Sequence, residues 1–219
     1  LKVRVEADVT DFDAWTALLS TCEKLDDPEK LGSVYQAFLA EYPLFQAYWK
    51  KYSSATGRHG GDPVKVFEQG VAAIPHSVDL WVQYAQHLIT IDAPSEKVTE
   101  IFERGLRYVS KHFLSHALWD KYIQYQLNQQ ATASVSEIYT RILGLPIQQL
   151  ERYFTSFKAY VATRTIYELM PASEIEQERA KVAAAASSHA KTEGEGGGEQ
   201  KEKEKEEEKQ LSEDDKLKR

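Results

Sequence analysis

The stretch Trp81-Val82-Gln83-Tyr84, followed by Ile101-Phe102-Glu103-Arg104-Gly105-Leu106, decides the fold. Trp81 and Tyr84 stand three positions apart, and Phe102 and Leu106 four apart. Both steps place large side chains on one face of a helix, one turn apart. The stretch therefore predicts two successive amphipathic helices. A single pair of this size cannot bury its apolar face alone, so it needs copies of itself as neighbours.

The copies are present. Trp15, Trp49, Trp81 and Trp119 lie 34, 32 and 38 residues apart, and Leu18, Tyr52, Tyr84 and Tyr122 follow three residues after each. A fifth copy reads Phe154 with Phe157, 35 residues beyond Trp119. A second-helix aromatic, Tyr35, Phe67, Phe102 or Tyr139, follows each tryptophan by 20, 18, 21 and 20 residues. Leu39, Val71, Leu106 and Leu143 stand four residues further on. Aromatic stripes at helical spacing are core. The repeat core is thus read as Trp15, Tyr35, Trp49, Tyr52, Phe67, Trp81, Tyr84, Phe102, Trp119, Tyr122, Tyr139 and Phe154. The prediction is an all-α, right-handed α-solenoid of about five antiparallel helix-pair repeats over residues 1–165. Ten helices are expected if the fifth motif pairs with the Ala-rich segment that follows.

The punctuation agrees with that frame. Asp27-Pro28 and Asp62-Pro63 set an N-cap before a proline at the first helical position. Ser77 is placed to cap the third tryptophan helix, and Ser134 with Glu137 reads as a capping box. Pro43, Pro75 and Pro146 close second helices, while Gly57, Gly60 and Gly61 break repeat two. Gly70 and Gly105 occupy matching second-helix positions, read as points of close helix approach with a hinge as the alternative.

The net charge of −7 leaves residues 1–190 mildly acidic once the charged end of the chain is set aside. A phosphate-gripping module would carry a basic footprint, so protein partners are expected, with RNA contact secondary. The single cysteine, Cys22, falls on the apolar side of the first tryptophan helix and reads as a buried thiol in a reducing compartment. No apolar run approaches the ~18 residues of a membrane span. The chain opens on Leu1 rather than Met, which suggests a fragment.

The search for chemistry yields no catalytic, cofactor or metal residues. Gly57-Arg58-His59-Gly60-Gly61 lacks the lysine and strand of a phosphate-binding loop. His112 and His116 have a metal-like spacing, but Ser115 reads as an N-cap between them, so the two straddle a helix boundary. A binding scaffold is therefore expected rather than an enzyme. Its candidate partner-binding residues are Lys50, Lys51 and Arg58 near repeat two, and Arg104, Arg107 and Lys111 near repeat three. Solubility and helix-dipole complementation would account for these cations. The alternative is recognition of an acidic peptide or of an RNA backbone.

Trp-x-x-Tyr on the first helix, then Ile/Val-Phe/Tyr-Glu-Arg-Gly-Leu and a closing proline, resembles the half-a-TPR repeats of RNA-processing factors. Ile101 to Leu106 carries the second motif, and Val66-Phe67-Glu68-Gln69-Gly70-Val71 nearly repeats it. Repeat one has Phe38 where a small residue is usual, and repeat three has Ser110 in place of the closing proline. Three segments, 48–52, 73–81 and 138–146, extend the likeness to the amino-terminal repeat block of the pre-mRNA-processing factor 39 family. That resemblance covers roughly residues 10–165. It implies a non-catalytic nuclear scaffold in pre-mRNA splicing, associated with proteins of the U1 small nuclear ribonucleoprotein in 5′ splice-site selection. Other readings are a scaffold of mRNA 3′-end processing or a direct RNA-binding repeat protein. The carboxy-terminal dimerising block that the resemblance implies lies outside this chain, so a monomer or weak self-association is expected.

Residues 166–190 read as a capping helix region, with Ser173 and Glu176 as its capping box. Residues 191–219, rich in Lys and Glu, have too few apolar side chains to offset ordering entropy and read as a disordered tail.

Overall fold

The computed structural model describes residues 1–25, 27–170 and 172–190; the Lys/Glu-rich segment expected to be disordered lies outside them. Among the described residues the ordered elements are all helices. They run α1 (Lys2–Ala7), α2 (Phe12–Leu25), α3 (Pro28–Glu41), α4 (Gln46–Arg58), α5 (Pro63–Ala73) and α6 (Val78–Thr90). The series continues with α7 (Ser95–Val109), α8 (His116–Asn128), α9 (Thr132–Leu143), α10 (Leu150–Ala162), α11 (Ile166–Leu169) and α12 (Ala172–Ala190). Two short helices, α1 and α11, add to the expected ten.

The helix starts follow local chemistry. Asp27 and Asp62 accept hydrogen bonds from the backbone N–H groups of Lys30 and Val64, and Pro28 and Pro63 open α3 and α5. Ser77 accepts from the Leu80 N–H. Each bond satisfies a first-turn donor that the helix itself cannot pair.

Two capping boxes need correction. α9 begins at Thr132, so Ser134 lies inside it; Ser173 likewise lies inside α12. In the first case the α8–α9 turn closes early, with Gln130 in the left-handed region at φ 58° and Thr132 Oγ1 donating to the Glu168 carbonyl. Among the described residues, a capping box is formed by Thr165 with Glu168, ahead of α11.

The helices gather into two compact units, one ending at Tyr122 and the other starting at Ile123. In the first, α1 to α7 each pack on the next, and α4 also packs directly on α6. First helices of neighbouring repeats therefore touch. In the second, α9 packs on α10 and α11, and α11 on α12.

One aromatic stack recurs between repeats. The second-helix aromatic of each repeat lies parallel to the ring from the first helix of the next. Tyr35 stacks on Tyr52 with centroids 5.2 Å apart, Phe67 on Tyr84 at 5.3 Å and Phe102 on Tyr122 at 4.7 Å. Tyr139 on Phe157, at 5.2 Å, repeats it in the second unit. Such pairs contribute about 0.5–1.5 kcal/mol beyond their buried area.

Three of the tryptophans pack against the second helix of their own repeat, Trp15 on Phe38, Trp49 at Gly70 and Trp81 at Gly105, and are anchored by a repeated bond. The indole N–H groups of Trp15, Trp49 and Trp81 each donate to the carbonyl six residues earlier, on Val9, Pro43 and Pro75, at 2.8 Å in all three cases. A buried indole needs such an acceptor. The carbonyl sits in the connection before the helix, so one ring both fills the core and fixes how the chain enters the repeat.

Gly70 and Gly105 give these rings their space. A Cβ on Gly70 would stand 3.1 Å from Trp49 Cδ2, and one on Gly105 would stand 3.0 Å from Trp81 Cδ2 and Cγ. Close approach accounts for both glycines. In repeat one the position belongs to Phe38, which is fully buried and meets Trp15 at 5.9 Å within a cluster including Phe12, Tyr42, Phe45 and Tyr48.

Phe154 is a correction to the expected core. It is 58% exposed, whereas Tyr153 is buried. Gln149 holds a left-handed φ of 67° just before α10, which sets the helix's entry. Tyr153, Phe157 and Tyr160 then share the face that meets Tyr139, and Phe154 is turned about 100° away.

Candidate partner-binding surface

The α4–α6 contact leaves a groove of about 600 Å³ whose rim also includes Lys121 of α8. Val82, Pro63 and Phe67 give it apolar lining. Lys50 and Arg58 reach it from α4, and Gln83, Gln86 and His87 from α6. Among the described residues lining it there is no carboxylate. Lys121 Nζ donates to Gln86 Oε1 at 3.0 Å, which holds the lysine head at the rim. Burial pushes the His87 imidazole below its ordinary pKa, and its ring packs on Phe67 at 5.5 Å. The acid acting on His87, Asp62, has its carboxylate on the α5 N-terminus. Gln83 Oε1 is buried and has no hydrogen-bond partner.

The six candidate cations therefore divide. Lys50 and Arg58 both line the groove. Lys51 instead places its Nζ 5.1 Å from the centroid of the Tyr48 ring. Arg107 in the last turn of α7, and Lys111 just beyond it, are exposed and are not among the groove's lining residues.

Arg104 is a correction, because its guanidinium is engaged internally. It makes a two-pronged pair with Glu68, Nη1 to Oε1 at 2.8 Å and Nη2 to Oε2 at 2.9 Å, and lies 5.8 Å from the Trp81 ring. Glu68 Oε1 also accepts from the Tyr84 hydroxyl at 2.7 Å. The residue after each second-helix aromatic serves this polar edge repeatedly. Gln36 donates to the Tyr52 hydroxyl, and Glu103 accepts from Tyr122. Arg104 thus ties repeat three to repeat two. Sequence reasoning had instead missed Lys121, His87 and Gln83, which no motif marks.

The hydrogen bond from Arg104 holds the Glu68 carboxyl below its ordinary value of 4.5, against the opposing effect of burial. A depressed folded pKa contributes stability above the unfolded value, and loses it as pH falls below about 4.5. Both side chains are more than a third exposed, so solvent screening limits the contribution to about 1 kcal/mol or less. Glu68→Gln is expected to lower Tm slightly at pH 7 and to flatten the fall in Tm below pH ~4.5. Thermal melts from pH 3 to 7 check it. An acid limb identical to that of the parent would contradict the assignment.

Elsewhere, the His112 Nδ1 accepts from the Leu114 N–H in the turn before α8. Among the described residues no group of three or more His, Cys, Asp or Glu is placed to hold a metal ion. No described helix is long and apolar enough to cross a membrane.

The family model described as "PRP39 N-terminal HAT repeat" matches residues 1–159. This chain belongs to that family. It is 34% identical over 184 residues to Pre-mRNA-processing factor 39 of Schizosaccharomyces pombe, covering 78% of this chain and 30% of that protein. It is 38% identical over 168 residues to Pre-mRNA-processing factor 39-2 of Arabidopsis thaliana, covering 74% and 16%. The mRNA 3′-end-processing protein RNA14 of Yarrowia lipolytica is 25% identical over 178 residues, covering 72% and 22%. The chain thus spans under a third of the length of these relatives. The four stacked ring pairs all fall within the matched residues 1–159.

Proposed function

We propose that this chain is a non-catalytic protein-interaction scaffold in pre-mRNA splicing. Residues 1–165 serve as its repeat array and 166–190 as the cap of that array. The protein carrying it works in the nucleus, bound to proteins of the U1 small nuclear ribonucleoprotein, in selection of 5′ splice sites. The observation that carries this reading is the match of the repeat array to Pre-mRNA-processing factor 39 proteins from fungi, plants and animals. The physics supports a scaffold: neighbouring repeats hold one another rigid through the stacked seam and leave side chains such as Lys50 and Arg58 outward. For this chain we propose a monomer or weak self-association.

A second reading, a scaffold of mRNA 3′-end processing, is favoured by the similarity to the RNA14 protein. Depletion of the full-length protein from nuclear extract separates the two. The splicing reading predicts altered choice between two competing 5′ splice sites in a reporter transcript, restored by adding the protein back. Unchanged splice-site choice together with impaired transcript cleavage would overturn it in favour of the second reading.

A further inference from the structure

We propose that the groove between α4 and α6, rimmed by Lys121 of α8, is a docking site for an acidic peptide segment of a partner protein. The proposal rests on the scaffold reading and names the surface and the partner chemistry it would use.

Charge complementarity selects the occupant. Lys50, Arg58 and Lys121 all line the groove, and among the described residues lining it there is no carboxylate to neutralise them. Clefts lined by one sign of charge over a low-dielectric wall focus the field and favour an oppositely charged ligand. The volume of about 600 Å³ holds a few side chains rather than a folded domain. The apolar lining at Val82 and Pro63 suits an aliphatic residue set between the acids.

The same features disfavour a nucleic acid. Single-stranded RNA binds without sequence readout by stacking its bases on exposed aromatic faces. Here Phe67 is 4% exposed, covered by Tyr84 on its face and packed against His87.

The test is selection of random twelve-residue peptides displayed on phage against the intact chain. The best peptide is then measured by fluorescence anisotropy on the parent and on Lys50→Glu/Arg58→Glu/Lys121→Glu. Oligouridine of twelve nucleotides is the comparison probe. The expected result is a selected set enriched in Asp and Glu around an aliphatic residue, with affinity lost at least tenfold in the triple variant. Because reversal of three charges could disturb folding, the milder Lys50→Gln/Arg58→Gln is measured alongside and is expected to weaken the peptide several-fold at unchanged Tm, since both side chains are exposed. Selected peptides without acidic enrichment, or equal affinity for the folded triple variant, would overturn the site. Displacement of the peptide by oligouridine would reassign the groove to RNA. Affinity gained tenfold on removing residues 191–219 would reassign it to the chain's own charged segment. Any of these results leaves the splice-site assay untouched, so the groove can fail while the scaffold reading stands.

Discussion

Trp81→Ala is expected to lower the unfolding free energy by about 3–5 kcal/mol, against a total of roughly 5–15 for a domain. Trp81 is 1% exposed and lies against Gly105 in the following helix. Its removal leaves a cavity that the flanking helices cannot close, because each is held by stacked pairs of its own. It also strands the Pro75 carbonyl, which loses the indole N–H. Exposed Tyr108 loses the ring it stacks on at 6.2 Å, and Arg104 loses the face beneath its guanidinium. Urea unfolding reads the effect directly. The matched control is Phe154→Ala, which should stay within about 0.5 kcal/mol of the parent because that ring faces outward. Equal losses for the two variants would contradict the register described for α10.

Gly105→Val attacks the same contact from the other side. Its Cβ alone would stand 3.0 Å from two atoms of Trp81 and 3.1 Å from Leu118 Cδ2. Alanine would recover up to about 1 kcal/mol of helix propensity against that crowding. Valine recovers less and adds two methyl groups, so a loss of about 1–3 kcal/mol is expected. The two substitutions should not add. In Trp81→Ala/Gly105→Val the new side chain enters the space the ring has left, so the double variant should be more stable than the sum of the two losses implies. Additive losses would mean that the glycine is not there to admit the tryptophan.

The fold was legible because bulky aromatic rings at a near-constant interval can hardly arise without a repeated core. The proline before Trp49 and Trp81 was legible as a helix stop, but its carbonyl's role toward the indole six residues on was not, since that bond depends on the path of the connection. Tyr153 and Phe154 are adjacent and equally aromatic. Only the left-handed Gln149 decides which one turns inward, and glutamine carries no strong signal for that conformation. Arg104 read as an outward cation because its partner, Glu68, is one repeat away in sequence. The groove was half legible. Lys50 and Arg58 share α4, whereas Lys121 is brought to them only by the stacking of two further helices. Gln83 has no distinguishing mark in the sequence, and its unpaired oxygen exists only once the repeat is packed.

The most direct measurement is quantitative affinity capture from nuclear extract with the intact chain as bait and the folded Lys50→Glu/Arg58→Glu/Lys121→Glu chain as control. The expected result is recovery of U1 small nuclear ribonucleoprotein proteins that persists after ribonuclease treatment and falls at least tenfold with the control. Recovery of cleavage and polyadenylation factors without U1 proteins, or complete loss of all partners on ribonuclease treatment, would contradict it.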